Sequence, residues 1–384
     1  MGRGLYIHIP ICRSKCYYCD FASYPLNRFT ERDLDLYVLA IEYELKHLLS
    51  QETRPVELTS VYVGGGTPPL IDTSRLVLIM EAVHKYFDLA TGCELTVELN
   101  PLTCTPETLR GLAKAGFNRF SLGVQSFDDY TLMKLGRAHS AQEARAAIGL
   151  LKENFDNISF DLIYGVPDDD PARWKRDLET ALEFDPDHLS LYSLQVEEDT
   201  PLAQLIKRGF CDPVDEGLQA DQWDWACDRL YPTDYRHYEI SNWAKPGKES
   251  RHNLGYWLYD PYYGVGAGAS GFLDGQRYRN TSDPWEYTQI MRSSLKGRFP
   301  AAEFVERLTP EQMAAERIIL ALRTADGLNL EDIPGMSSAE FWRRYGEKLT
   351  YYREMGLVWR RRQRIGLTEA GMALSNRIFL MFMP

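Results

Sequence analysis

The feature that most constrains this chain is an alternation of two segment types running from residue 4 to about residue 195. Short β-branched or apolar runs, LYIHIP, SVYVGG, LTVELN, RFSLGVQS, ISFDLIYGV and HLSLYSL, are separated by longer amphipathic stretches. The stretches are Glu31 to Leu49, Ser74 to Tyr86, Pro106 to Ala115, Ala141 to Asn154 and Ala172 to Phe184, each opening near a Thr, Ser, Asp or Pro that suits a helix start. Six strand-and-helix units in series imply a parallel sheet. Because parallel crossovers are right-handed, the series either opens into a doubly wound sheet or curls into a complete or partial barrel, and spacing does not separate the two. In both, the loops after the C-terminal strand ends converge on one mouth. Here those loops carry the unusual residues: a cysteine loop after the first strand, GGGTP after the second, Glu98 to Pro101 after the third, Gln125 after the fourth and Asp161 to Pro167 after the fifth.

From about residue 202 the alternation gives way to aromatic-rich sequence, YRHYEISNWAK, HNLGYWLYDPYYGVGAGASG and DPWEYTQ, which reads as an extension covering the mouth. Near Thr309 a third pattern begins, with the helix PEQMAAERIILALR, further short helices, the ribbon GLVWRRRQRIGLT and the last helix EAGMALSNRIFL. That order suggests a small winged-helix-like domain. The expected division is therefore 1–200 for the α/β core, 201–305 for the extension and 306–384 for the C-terminal domain. With 44% apolar and 26% charged residues, the chain has enough apolar sequence for a sizeable core, and neither disorder nor coiled coil describes it.

The net charge of −12 works against a nucleic-acid partner, since phosphate binding needs a concentrated basic surface. The local exception, Arg360, Arg361, Arg362 and Arg364, reads as a solvated hairpin tip rather than a basic wing. No apolar run approaches the roughly 18 residues of a membrane span, and the start lacks the apolar core and cleavage site of a signal peptide. The expectation is a cytoplasmic protein without a transmembrane segment; peripheral contact with a membrane is compatible with it.

Three of the seven cysteines, Cys12, Cys16 and Cys19, lie in CRSKCYYC, a C-x-x-x-C-x-x-C loop. Three thiolates on a four-iron cubane leave one iron free to bind a small molecule. A zinc site would need a fourth ligand such as His8, which lies inside a strand, and a thioredoxin-like pair would not need Cys12. Cys93, Cys104, Cys211 and Cys227 share no spacing pattern and read as apolar thiols.

This cysteine spacing after a first strand resembles the radical S-adenosylmethionine superfamily. The resemblance implies a partial (β/α)6 barrel, a [4Fe–4S] cluster on the three cysteines, an electron donor for the cluster, and S-adenosylmethionine chelating the open iron for one-electron cleavage. It also implies that Gly65, Gly66 and Thr67 of GGGTP grip the methionine amino group and that Glu98 of VELNP binds ribose hydroxyls. Gln125, Arg137 and Asp161 would line the same or an adjacent nucleotide pocket, with Tyr6 and Tyr18 packing on adenosine.

LYIHIPICRSKCYYCDF, VGGGTP, VELNP, GVQSF, YEISNWAKPG and HNLGYW together resemble the oxygen-independent coproporphyrinogen dehydrogenase group over nearly the whole chain. The dehydrogenase carries another cysteine two residues beyond the third; here that position is Phe21, and its extended N-terminal segment is missing. Both departures fit the haem chaperones of the group, which bind haem and pass it to an acceptor protein, better than a porphyrinogen dehydrogenase or a haem-degrading methyltransferase. An RNA-modifying enzyme is disfavoured by the acidic balance. In the chaperones HNLGYW corresponds to a haem-binding motif, which makes His252 the candidate axial ligand, with Tyr256 and Trp257 covering the ring. Where relatives often have Pro and His after this motif, the chain reads GVGAGASG, with Ala267 and Gly271.

Overall fold

The computed structural model describes residues 2–168, 170–293 and 295–383. After β1 (Arg3–Ile9), the two-residue strands β2 (Ile11–Cys12) and β3 (Tyr24–Pro25) pair and close the base of the cysteine loop. Helix α1 (Glu31–Ser50) leads to β4 (Glu57–Gly65), α2 (Thr73–Tyr86) to β5 (Asp88–Leu99) and α3 (Pro106–Lys114) to β6 (Arg119–Gln125). Then α4 (Asp129–Lys134) and α5 (Ala141–Lys152) lead to β7 (Ile158–Tyr164), and α6 (Pro171–Glu183) to β8 (His188–Ser193). Strands β1, β4, β5, β6, β7 and β8 are neighbours in that order and all parallel.

The two faces of these strands differ in kind. One face carries Leu5, Ile7, Val61, Val63, Leu95, Val97, Phe120, Leu122, Phe160, Leu162, Leu189 and Leu191, all buried in the main apolar core. The other face is polar, and the register aligns it across strands: Tyr6 beside Tyr62, Tyr62 beside Thr96, Thr96 beside Arg119, and Glu98 beside Ser121, Ser121 beside Ser159, Ser159 beside His188. A doubly wound sheet buries two apolar faces under two helix layers. One apolar and one hydrogen-bonding face means that this sheet curls around a polar lumen, as a partial barrel.

The extension does more than cover a mouth. After α7 (Pro201–Lys207) and α8 (Glu216–Leu230), β9 (Arg236–Glu239) and β10 (Asn242–Ala244) join the β8 edge antiparallel. Helix α9 (Arg251–Trp257) follows, and β11 (Tyr262–Val265) lies parallel to β1 on the opposite edge. Then β12 (Ser270–Leu273), β13 (Gln276–Asn280), α10 (Pro284–Met291) and β14 (Ala302–Arg307) follow, the strands completing a sheet of twelve. Thus the extension widens both edges, and β14 runs through the expected boundary at 305. Among its elements α7 reaches the mouth, where the Leu202 N–H donates to the Tyr17 carbonyl at 2.8 Å.

The C-terminal part has α11 (Pro310–Leu322), β15 (Leu328–Asn329), α12 (Ser338–Glu354), β16 (Val358–Arg361) and β17 (Arg364–Leu367), with the three strands in the order β15, β17, β16. It is tied to β9 and the turn after it by backbone hydrogen bonds from Ala325 N–H to the Tyr238 carbonyl and from Ile240 N–H to the Arg323 carbonyl. The arginine run forms the β16–β17 hairpin tip, with Arg362 at φ 53°. No helix among the described residues is long and apolar enough to cross a membrane.

Candidate functional site

The cysteine loop leaves the C-terminal end of β1 and is pinned on both sides. The Tyr17 N–H donates to the Leu135 carbonyl after α4, the Tyr17 carbonyl accepts from α7, and Tyr24 donates to Pro10 at 2.8 Å. Cys12, Cys16 and Cys19 are unpaired and partly exposed. Burial pushes the Cys19 thiol up to about 11 and raises Cys12 as well, so thiolates here call for a cationic metal partner. His8 is no fourth ligand: its Nδ1 is 2.8 Å from the Tyr6 hydroxyl and its Nε2 2.8 Å from the Ala22 carbonyl. Among the described residues no three His, Cys, Asp or Glu side chains converge as a single-ion site. Three thiols without His8 suit a cluster better than zinc.

The glycine loop ends β4 and faces the cysteines. Its backbone is stitched to the neighbouring strand by Gly66 N–H to the Ile9 carbonyl at 2.9 Å and Thr67 N–H to the Ile11 carbonyl at 2.8 Å. Gly65 sits at φ 107°, and a Cβ there would stand 2.4 Å from the His8 ring. At Gly66 a Cβ would stand 2.4 Å from the Ile11 carbonyl oxygen. Glycine is required at both positions by close approach. The Thr67 hydroxyl lies 4.0 Å from Cys12 Sγ, so glycine loop and cysteine loop share one mouth.

Beneath the glycines, Glu98 accepts from the Tyr62 hydroxyl at 2.7 Å and from the Gly65 N–H at 2.9 Å. Burial raises its carboxyl to about 7, against the lowering effect of those two bonds. Asp161 accepts from Ser121 Oγ at 3.1 and 3.2 Å, and burial raises it too. Arg137 donates to the Gly123 carbonyl at 2.9 Å and approaches Cys16 Sγ at 3.5 Å, with Tyr18 as a further partner. Gln125, at φ 67°, leaves Oε1 buried without a partner, as Arg137 leaves Nε. An unsatisfied acceptor and donor beside a glycine cradle and three thiols fit a polar, amino-acid-bearing ligand over a cluster.

The structure thus brings together Cys12, Cys16, Cys19, Tyr18, Gly65, Gly66, Thr67, Glu98, Gln125, Arg137 and Asp161. Tyr6 stands one contact further in, its hydroxyl directed toward the mouth onto His8, whose ring backs Gly65. The structure separates His252. Helix α9 packs on β1 and β4, and His252 sits against Gly4 and Ser60, at the N-terminal ends of those strands. The α9 N–H groups of Arg251 and His252 donate to Glu94 at 3.0 and 3.1 Å, which seats the helix across the barrel floor. His252 is 3% exposed, with Nδ1 2.9 Å from Ser60 Oγ and Nε2 2.7 Å from the Tyr256 hydroxyl. Neither nitrogen is free for iron, so the expected haem role of His252 does not match this arrangement. Burial lowers its value to about 3, keeping it neutral. The Trp257 ring lies under Arg323 of the C-terminal part rather than over an open face. Ala267 and Gly271 are packed too: Ala267 N–H donates to Tyr37, and a Cβ at Gly271 would strike Tyr278.

Sequence reasoning missed the polar lumen below the mouth, in particular Tyr62, Ser121, Glu94 and Arg119. The signal was present in the strict polar and apolar alternation of Arg119, Phe120, Ser121 and Leu122.

Residues 6–181 match the family model of the Radical SAM superfamily, and residues 308–374 match that of the HemN C-terminal domain. The chain is 35% identical over 379 residues to a protein of Lactococcus lactis subsp. lactis (strain IL1403) described as "Heme chaperone HemW", covering 98% of this chain and 96% of that one. It is 32% identical to the Bacillus subtilis (strain 168) protein of the same description, over 99% of each. Among solved structures, coproporphyrinogen III oxidase (HemN) from Escherichia coli, described as a radical SAM enzyme, has a TM-score of 0.84 at 22% identity, covering 99% of this chain and 90% of that one, which shows a common fold. Relatedness at this level along the whole length, on a barrel with three thiols at its mouth, leads to one assignment: the chain belongs to the HemW family of the radical SAM superfamily.

Proposed function

We propose that this chain is a haem chaperone: it carries a [4Fe–4S] cluster on Cys12, Cys16 and Cys19 and S-adenosylmethionine beside it, binds haem, and releases haem intact to an acceptor protein. The observation that carries the reading is the meeting of three unpaired thiols with the glycine loop and the unsatisfied Gln125 and Arg137 groups at one mouth, in a chain of this family. When bound, the cluster supplies one electron and an iron with an open coordination position.

The chain's own residues do the positioning. The glycine loop offers close backbone approach to the methionine moiety, Arg137 and Gln125 offer a donor and an acceptor, and Glu98 and Asp161 are acceptors for ribose hydroxyls. Tyr18 stands on the small apolar cluster of Leu135, Ile163, Val166, Leu194 and Leu202, a dry wall for the adenine. Phe21 is 59% exposed on the loop and adds no fourth thiol, which supports chaperoning over porphyrinogen oxidation. The haem site is not placed on His252. The cytoplasm is the compartment proposed for this chemistry, with an electron donor as a further partner.

The test is to reconstitute the cluster without oxygen, load haem, add a reductant and S-adenosylmethionine, and present apomyoglobin as acceptor. Haem should appear in the acceptor with an unchanged mass and pyridine haemochrome spectrum. A modified tetrapyrrole formed over many turnovers would replace the chaperone by an enzyme acting on the macrocycle.

A further inference from the structure

We propose that Arg119 is the through-space counter-charge that holds Glu98 and Asp161 anionic at the barrel mouth, a positioning residue for the S-adenosylmethionine site. The proposal rests on the reading of that site given above. Arg119 is a buried cation, 2% exposed, on the lumen face of β6, level with Thr96 of β5. Its Nε and the Thr96 hydroxyl are both buried without a hydrogen-bond partner. Among the described residues Arg119 forms no ion pair, and neither do Glu98 and Asp161. A buried cation and two half-buried carboxylates, none in a direct ion pair, therefore share one lumen.

The register fixes their relation. Two residues along β6 from Arg119, Ser121 stands beside Glu98 and donates to Asp161. Arg119 thus lies one lumen step below Glu98, while Asp161, two residues beyond Ser159 on β7, reaches down to Ser121 from a step higher. Among the described residues no alternative counter-charge stands at its level. His188 bonds Ser159 and Tyr238, and His252 bonds Ser60 and Tyr256; burial keeps both neutral. The Glu94 carboxylate is occupied by the N-terminus of α9.

Around the two carboxylates the other titratable groups among the described residues include His8 and Tyr6 of β1, Tyr62 of β4, Tyr192 of β8, Tyr256 of α9, and Arg137 at the rim, which also acts on Asp161; burial lowers His8 and keeps it neutral. The tyrosines stay neutral because burial raises them. Below the rim, where Arg137 stands, the charge balance therefore rests on Arg119. Two carboxylates in one low-dielectric space repel, and without a cation one keeps its proton. A protonated carboxyl loses part of its capacity to accept ribose hydroxyls.

The test measures S-adenosylmethionine affinity of the reconstituted protein by calorimetry under argon from pH 5.5 to 9. In the wild type, affinity should rise through about pH 7, the value for Glu98. Arg119→Met should move that midpoint up by about one pH unit, a loss of about fivefold near pH 7 that approaches about tenfold toward pH 5.5 and vanishes near pH 9. Arg119→Lys should restore the profile. An unmoved midpoint in Arg119→Met, or an equal loss at every pH, overturns the proposal.

If the wild type binds no S-adenosylmethionine, the site reading fails, and Arg119 is judged on the ligand-free protein. There, the fall in melting temperature as pH rises through the Glu98 range should end about one pH unit higher in Arg119→Met. If Arg119→Met does not fold, the charge argument requires Arg119→Met/Glu98→Gln/Asp161→Asn to melt no lower than Glu98→Gln/Asp161→Asn, since both sides of the balance are gone. A lower melting temperature of the triple variant makes Arg119 a packing residue only.

Discussion

Adding one methyl group at Gly66 probes whether the glycine loop and the cysteine loop form one mechanical unit. The backbone at Gly66 is not in the left-handed region, so alanine carries no dihedral penalty there and the whole effect comes from contact. The new Cβ would stand 2.4 Å from the Ile11 carbonyl oxygen and 2.8 Å from the Ile11 carbonyl carbon and nitrogen, where ordinary contact begins at 3.4 Å. Every one of those atoms is backbone, and none can rotate away. The two segments must part by about 1 Å, which stretches the Gly66-to-Ile9 and Thr67-to-Ile11 hydrogen bonds from 2.9 and 2.8 Å. Overpacking of this kind costs about 1–3 kcal/mol, and the weakened bonds add about 1 kcal/mol. The sum, about 2–4 kcal/mol, corresponds to a fall in melting temperature on the order of 5–10 °C for a barrel-sized domain. Because Cys12 follows Ile11 directly, the displacement also moves a cluster ligand. Gly66→Ala protein should therefore fold, by far-UV circular dichroism, yet hold less than half the iron and sulfide of the wild type after reconstitution. Wild-type melting within about 2 °C together with full iron content would refute the reasoning.

Further outcomes follow from the same geometry. Cys16→Ala should lose the four-iron cluster and its electron paramagnetic resonance signal, and retention of four irons would remove Cys16 from the site. His252→Ala should destabilise the protein by about 2–4 kcal/mol, by leaving the Ser60 and Tyr256 hydroxyls unpaired in the floor, while the haem spectrum stays as it was; a shifted Soret band would return His252 to the haem site. Glu98 has its folded value raised to about 7 from 4.5, so it weakens the fold progressively as pH rises from about 4.5 to 7. Glu98→Gln lacks that penalty, and thermal melts should favour the variant increasingly over this window; a constant difference would count against the buried carboxyl. Glu44 accepts from the Gly266 N–H at 2.9 Å, Asn280 at 2.7 Å and Tyr287 at 2.6 Å, so Glu44→Ala strands three buried donors and should cost at least about 3 kcal/mol in denaturant unfolding.

What the sequence determined by itself was everything local or periodic. The three thiols lie within eight residues, so a single loop carries them whatever the fold does. The strand-and-helix alternation forces parallel strands, and parallel strands place the cysteines, glycines, Glu98 and Gln125 at one end of the sheet, whereas Asp161, expected in the loop after the fifth strand, lies in the middle of β7 and reaches the site along the lumen face. Only the tertiary structure decided what depended on register and on contacts far apart in the chain. Whether the sheet was doubly wound or curled turned on the partners of its second face, which the lateral alignment of Tyr62, Thr96, Arg119 and Ser121 supplied. The destination of the aromatic extension was equally hidden, because edge strands such as β10 and β11 are recruited by whichever sheet edge has unpaired backbone groups. His252 shows the difference most plainly. Its neighbours in HNLGYW suggest a ring-binding surface, but Glu94 and Ser60, more than 150 residues earlier, draw the helix N-terminus and the imidazole into the barrel floor. A side chain's chemistry is written in its residue type, whereas its availability depends on which distant groups have already taken its hydrogen bonds.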